Sequence, residues 1–249
     1  MKATKLIIVA LAGLSIVACS GSKSTSPEIK AVTPSKAQID SVSYLLGINF
    51  GSTIKGYNFG DLNYAEMVKG MKDFVNSTGT PYDEDFADQF KMDPNTMGDV
   101  INGFLEKRSQ LVSLTNKEAQ DKFLEANKNK ANVSVSPSGL QYQIIEPGSS
   151  THPGPQDTVY VRYKGTLLDG TVFDEVAADS DPIALTLNQV IPGWTEGIQL
   201  VGEGGKIKLF VPADLGYGAS GTQGIEPNSL LIFDVEVAEV HPYVIPEIN

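Results

Sequence analysis

Cysteine, histidine and tryptophan are scarce in this sequence of 249 residues, which has one cysteine, two histidines and one tryptophan. A single cysteine excludes a disulfide bond within the chain. So few thiol and imidazole groups also argue against a cysteine–histidine metal site or a nucleophile–histidine pair. Basic residues are outnumbered as well, 19 against 30 acidic ones, for a net charge of −11. A nucleic-acid-binding protein needs a basic surface, so we expect no nucleic acid, metal or cofactor as a partner.

Long hydrophobic runs are also missing, apart from one near the start of the chain, at residues 6–18. This run follows Lys2 and Lys5 and is too short for a membrane span of ~20 residues, but it suits a signal-peptide core. It ends in Ile-Val-Ala-Cys19, which resembles the lipobox of bacterial lipoproteins, whose cysteine is acylated. The alternative is an ordinary signal peptide with an accidental cysteine.

The start of the chain therefore predicts a signal peptide at residues 1–18. Lipidated Cys19 would follow, with a flexible tether rich in Ser, Thr, Gly and Pro over residues 19–34. The lipobox resemblance implies a lipid anchor in the bacterial cell envelope, with the protein held on the outer membrane and facing the periplasm.

The first half of the remaining chain has the spacing of helices. Ser35 to Gln38 fits a capping box, and apolar residues recur behind it at helical intervals, at Ile39, Val42, Leu46 and Phe50. A second helix is predicted from Asn63, and a third from Asp93 to about Lys130. Past Leu114 the apolar residues of the third helix thin out among polar ones, which favours a solvated helical arm. We assign residues 35–132 to this helical domain.

The composition changes near residue 133, where we place a domain boundary. From there to residue 249, short segments alternate apolar and polar residues with turns between them. This pattern predicts an antiparallel sheet with one buried face. Pro192 begins a short helix that carries Trp194 and is suited to cover that face. The predicted fold class is α+β.

Aromatic residues spread along this second domain are candidates for one apolar cup: Tyr163, Phe173, Trp194, Tyr217 and Phe233. Val190, Ile191 and Ile225 are candidates for the same lining. Trp194 alone is also compatible with a plain core residue. A dinucleotide-like pattern, G-x-G-x-x-G at residues 216–221, is set aside because no helix follows it.

Five ordered segments of the second domain resemble the FKBP family of peptidyl-prolyl isomerases: residues 161–165, 169–174, 189–200, 212–218 and 231–235. The first domain resembles, more loosely, the helical N-terminal domain of macrophage-infectivity-potentiator proteins, at residues 41–47, 122–128 and 138–142. The resemblance implies a five- or six-stranded half-barrel wrapped on one short helix, preceded by a helical domain that forms a homodimer.

The resemblance also implies roles for individual residues. Trp194 would form the pocket floor, Tyr217 and the Ile191 amide would hydrogen-bond ligand carbonyls, and Asp174 would be a polar wall contact. The catalytic set it implies is Tyr163, Phe173, Asp174, Ile191, Trp194, Tyr217 and Phe233, and the substrate-binding set is Val190, Ile183 and Ile225. Two departures concern the lining. Ile183 stands where the family often has an aromatic residue, and residues 222–228 lack the usual paired prolines.

Rotation about an X–Pro bond makes and breaks no covalent bond, so it needs neither nucleophile nor metal. The resemblance implies an isomerase that acts on proline-containing, unfolded or partly folded proteins and is able to take macrolide ligands. The alternatives are an FKBP-fold chaperone with little isomerase activity and a purely structural envelope lipoprotein. The last of these leaves the aromatic set unexplained.

Overall fold

A computed structural model describes residues 32–244. The predicted signal peptide, Cys19 and most of the tether lie outside these residues. The chain forms two compact units, one ending at Leu62 and one beginning at Asn63. Within residues 32–244, no helix combines the length and apolar character that crossing a membrane requires.

The helical segments begin where the sequence predicts. Helix α1 spans Lys36–Gly56, and its first turn is closed by a capping box in which Ser35 and Gln38 each accept a hydrogen bond from the other's backbone N–H. Helix α2 spans Tyr64–Asn76, with the Asn63 side chain accepting from the backbone N–H groups of the first turn. Capping residues thus mark both N-termini.

The longest helix, α3, spans Met97–Asn127. A 3-10 turn over Pro94–Thr96 leads into it, and the Asp93 carboxylate accepts from the Asn95 N–H at 2.8 Å. Proline fits this first turn because it lacks the N–H that would have no partner there.

Within residues 32–244, seven antiparallel strands follow the helices: β1 (Ser134–Val135), β2 (Gln141–Glu146), β3 (Thr158–Leu167), β4 (Val172–Val176), β5 (Ile183–Thr186), β6 (Lys206–Val211) and β7 (Leu231–His241). Their order in the sheet is β1-β2-β6-β7-β3-β4, and β5 also pairs with β3. The count exceeds the five or six expected, partly because β1 is a two-residue edge strand. The α+β class is confirmed.

One face of this sheet forms the core, as the alternation predicts. Val159 and Val161 of β3, Leu209 of β6, and Phe233 and Val235 of β7 are buried. Helix α4 (Pro192–Ile198) covers this face. Helix α4 lies close to strand β6 because the two residues on its sheet-facing side, Gly193 and Gly197, are glycines. A Cβ on Gly193 or Gly197 would lie 2.5 Å from a side-chain carbon of β6.

The prediction of a solvated arm is wrong for the second half of α3. Its polar residues Gln120 and Asn127 are buried. Gln120 hydrogen-bonds to Ala213, just after β6, and Asn127 hydrogen-bonds to Gln141 of β2. Phe123 packs on Phe210 of β6, with ring centroids 5.7 Å apart, which buries Phe210 on the outer face of the sheet. The helix and the sheet therefore contact each other across the boundary that the change in composition near residue 133 suggests.

Candidate active site

Four aromatic rings of the predicted cup lie together at one end of the buried sheet face. We call Tyr163, Phe173, Trp194 and Phe233 the aromatic cluster. Trp194 of α4 meets the Tyr163 ring at 4.9 Å and the Phe233 ring at 5.0 Å, both edge to face, and Phe173 meets Phe233 at 5.5 Å. Edge-to-face contacts at these distances are favourable for aromatic pairs. The result is a rigid apolar surface with Trp194 and Phe233 almost fully buried.

A glycine makes room for this cluster. Gly165 of β3 is paired with Phe233 of β7 and with Asp174 of β4. A Cβ on Gly165 would lie 2.7 Å from the Phe173 ring and 3.0 Å from the Phe233 ring. Only a residue without a side chain lets both rings reach the sheet here.

Asp174 is oriented by two hydrogen bonds. The Tyr163 hydroxyl donates to Oδ2 of Asp174, and the Glu175 N–H donates to Oδ1 at 2.9 Å. Burial raises the pKa of Tyr163, and the hydrogen bond to Asp174 raises it further, so the phenol stays protonated and remains a donor at neutral pH. The carboxylate thus stands at the edge of the aromatic cluster as an exposed acceptor.

The Trp194 indole N–H and the Ile191 backbone N–H have no acceptor among residues 32–244. The Trp194 indole N–H is buried and unpaired. The Ile191 N–H makes no hydrogen bond within the described chain, although the Ile191 carbonyl accepts from Trp194 N–H at 2.9 Å and Thr195 N–H at 3.1 Å. The Ile191 amide at the start of α4 can therefore donate to an acceptor that residues 32–244 do not supply.

The remaining predicted residues lie around this cluster. Val190 and Ile191 are partly buried and pack against the same core, to which the buried Ile225 belongs. Tyr217 is 41% exposed, and its hydroxyl has no partner within the described residues. Ile183 is 39% exposed and lies opposite Val161 of β3, so by register it shares the face of Tyr163, but it does not belong to the packed core.

Sequence reasoning missed Gly165 and the Tyr163–Asp174 hydrogen bond. A glycine inside a strand pattern was a usable signal, since it often marks a close approach of neighbouring groups. The hydrogen bond joins two strands whose register could not be predicted from the sequence.

No group of three or more potential metal-binding side chains occurs in the described part of the chain. The site offers apolar contact, a free amide and oriented polar groups.

Comparison with known families matches both parts of the chain. Residues 149–238 match the model of the FKBP-type peptidyl-prolyl cis-trans isomerase. Residues 39–144 match the model of the domain amino terminal to FKBP-type peptidyl-prolyl isomerase. Together the two matches run from the first turn of α1 to residue 238 in β7, with a gap at residues 145–148.

Individual relatives agree. The outer membrane protein MIP of Legionella longbeachae is 37% identical over 244 residues, covering 95% of this chain and 97% of the relative. The FKBP-type isomerase FkpA of Escherichia coli K12 is 40% identical over 164 residues, covering 63% of this chain and 61% of the relative. The crystal structure of E. coli FkpA superposes with a TM-score of 0.66 at 30% identity, covering 87% of this chain and 98% of that one.

Proposed function

The chain belongs to the FKBP-type peptidyl-prolyl cis-trans isomerases, and we propose that the aromatic cluster is where it binds and isomerises X–Pro segments. The observation that carries this assignment is the unpaired Ile191 amide next to the closely packed aromatic cluster. A prolyl ring fits against the rings, and the carbonyl beside it accepts from the amide.

Isomerisation of an X–Pro bond needs little beyond these apolar contacts and this hydrogen bond. Rotation about an X–Pro bond has a barrier of ~18–20 kcal/mol and takes tens to hundreds of seconds unaided. The twisted amide has lost its resonance and is less polar than the planar one, so an apolar surface favours the transition state over the ground state. A thousandfold acceleration requires about 4 kcal/mol of such differential binding.

Within this mechanism the polar residues orient the substrate and transfer no proton. Asp174, held by the Tyr163 hydroxyl, is an acceptor for a substrate N–H, and Tyr217 is a donor to a second substrate carbonyl. Val190, Ile183 and Ile225 contact residues next to the proline. Clients are proline-containing proteins that are unfolded or partly folded, and macrolides are further candidate ligands for the same surface.

The isomerase assignment is tested with a proline tetrapeptide series and the chain from Ser20 onward. We expect cis/trans exchange to be accelerated about a thousandfold or more at saturating enzyme, with no change on adding a metal chelator. A folded preparation that leaves the exchange at its uncatalysed rate would favour the alternative, an FKBP-fold chaperone with little isomerase activity.

Two variants of the same protein test the polar roles. Tyr217→Phe and Asp174→Ala are each expected to lower kcat/KM about three- to tenfold, because each removes one hydrogen bond worth ~1 kcal/mol. Tyr217→Phe should leave the melting temperature unchanged, whereas Asp174→Ala also removes the acceptor of the Tyr163 hydroxyl and should lower it slightly. Tyr82→Phe and Asp85→Ala make the same chemical changes at exposed positions between α2 and α3, outside the site. If all four variants match the parent, the polar assignment is wrong.

We further propose a homodimer formed through the N-terminal helices. Helix α1 buries none of its residues, and its exposed apolar side chains lie on all sides of the helix: Ile39, Val42, Tyr44, Leu45, Leu46, Ile48 and Phe50. A helix that is apolar all round is stable in water only when it is enclosed. A second copy of the same helix supplies matching apolar surface by symmetry.

Light scattering on the chain from Ser20 onward measures the molecular mass and so tests the homodimer directly. We expect a mass twice that of one chain at micromolar concentration, and Leu46→Glu is expected to shift the protein toward monomer because it buries a charge in the interface. Leu168→Glu is the matched control, since Leu168 is an exposed residue in the turn between β3 and β4. A folded parent with the mass of one chain would rule out the dimer.

The chain belongs to a family that includes an outer membrane protein, and this supports a location in the cell envelope. We propose that Cys19 carries a lipid that anchors the chain to the outer membrane, facing the periplasm. The support is the apolar run before Cys19 and its lipobox-like ending. Cys19→Ser is expected to move the protein from the membrane to the soluble fraction of cells. Retention in the membrane fraction would exclude this anchor.

A further inference from the structure

Helix α3 contacts the segment between β6 and β7, which carries Tyr217 and Ile225. We call this segment, residues 212–229 between β6 and β7, the rim loop. It contains a single 3-10 turn, Ala213–Leu215, and no strand of the sheet. Gly218, Gly221 and Gly224 all have positive φ angles. Glycines lower the intrinsic stiffness of a loop, so the position of Tyr217 depends on what holds the loop from outside.

One side of the rim loop is fixed by Gln120 of α3. The Gln120 side chain is buried, and its Oε1 accepts from the Ala213 N–H at 2.7 Å. The carbonyl of the same Ala213 accepts from the N–H groups of Gly216, at 2.9 Å, and Gly218, at 2.8 Å. These glycines flank Tyr217, and we call residues 213–218 the tyrosine turn. The hydrogen bond from the helix therefore holds Ala213, the residue whose carbonyl closes this turn.

The other side of the rim loop is held by the same helix. Asn228 donates its backbone N–H to the Gly218 carbonyl at 3.0 Å and its side-chain Nδ2 to Ser113 Oγ at 2.7 Å. Asn116 Nδ2 donates to the Pro227 carbonyl at 2.8 Å. The tyrosine turn is therefore tied to α3 at both ends, through Ala213 and through Asn228.

An ion pair completes this contact. Arg108 reaches Glu226 at 3.0 Å, with about a quarter of each side chain exposed. The four contacting positions of α3, at 108, 113, 116 and 120, fall mainly on one side of the helix. All four side chains are polar, so the contact is made by directed hydrogen bonds, which fix position and orientation more narrowly than apolar packing does.

We propose that Gln120 is a positioning residue for the isomerase: through Ala213 it holds Tyr217 where the tyrosine hydroxyl meets the substrate. This rests on the function proposed above for Tyr217. Losing the Gln120 oxygen leaves the Ala213 N–H buried without a partner, and such a group favours conformations in which the turn opens to water. The turn then samples positions from which Tyr217 does not reach the substrate carbonyl.

The test compares Gln120→Met with Gln110→Met in the chain from Ser20 onward. Methionine keeps the size of glutamine and removes the acceptor, and Gln110 is an exposed residue of the same helix. We expect Gln120→Met to lower kcat/KM about tenfold, the effect of ~1.4 kcal/mol, and Gln110→Met to leave it unchanged. Gln120→Glu retains an acceptor oxygen and is expected to restore most of the activity.

A double-mutant cycle separates positioning from general destabilisation. In a Tyr217→Phe background, Gln120→Met should lower kcat/KM much less than in the parent, because both changes then remove the same contact. Equal losses in the two backgrounds would overturn the inference, as would full activity of Gln120→Met. An inactive parent would instead refute the proposed function. Should Gln120→Met fail to fold, Gln120→Ala removes the same acceptor from Ala213 without adding an apolar side chain, and the same cycle applies to it.

Discussion

Replacing Trp194 with alanine is expected to lower the free energy of unfolding by about 3–5 kcal/mol and kcat/KM by at least about a hundredfold. The indole is 4% exposed and meets Tyr163 and Phe233 edge to face. Its removal leaves a cavity under the substrate and lets both neighbouring rings move. Denaturant unfolding measures the first loss, and the tetrapeptide assay measures the second.

A matched control separates the two losses. Phe86 is also a buried aromatic residue, 6% exposed, and it packs with Phe74 and Phe90 in a second group of rings. Phe86→Ala is expected to cost stability by a similar mechanism while kcat/KM of the folded protein stays within about twofold of the parent. If Trp194→Ala behaves like this control, Trp194 is a core residue only and the cluster is not the binding surface.

Gly165→Ala is expected to have the second largest effect, although it adds a single methyl group. The new carbon would overlap the Phe173 ring at 2.7 Å and press on Phe233 at 3.0 Å. We expect a loss of about 1–3 kcal/mol in stability, typical of an overpacked core. We also expect a fall in kcat/KM of about tenfold or more, since Phe173 must leave the cluster.

Gly98→Ala is the control for this substitution. Gly98 lies in the first turns of α3, and nothing stands within 4 Å of the position its Cβ would take. Alanine in a helix is favoured over glycine by up to about 1 kcal/mol, so the control should be as stable as the parent or slightly more so. Normal activity of Gly165→Ala would show that Phe173 is not needed in its observed position.

Local signals predicted most of the fold. Ser35, Asn63 and Asp93 mark helix starts because their side chains accept from free N–H groups, a preference that operates within a few residues. The alternation around Val161 and Phe233 records which face of a strand is buried. Such preferences are visible without knowing the partner of any segment.

The contacts of α3 were not predictable in the same way. Gln120 and Asn127 are buried, yet in a sequence they look the same as polar residues facing water. Their burial is possible because Ala213 and Gln141 supply hydrogen-bond partners, and both partners lie elsewhere in the chain. The burial of Phe210 on the outer face was unpredictable for the same reason, since Phe123, which packs on it, belongs to a distant segment of the chain.

The burial of the single tryptophan of the chain also gives the protein a built-in optical reporter. Fluorescence excited at a wavelength that tryptophan alone absorbs comes from Trp194 in the aromatic cluster, inside the unit that begins at Asn63. A ligand that covers Trp194 is expected to change the emission, whereas separation of two chains through α1 should leave it unaltered. A change in the emission would therefore report an occupied site and not a dissociation through α1, with no label attached to the protein.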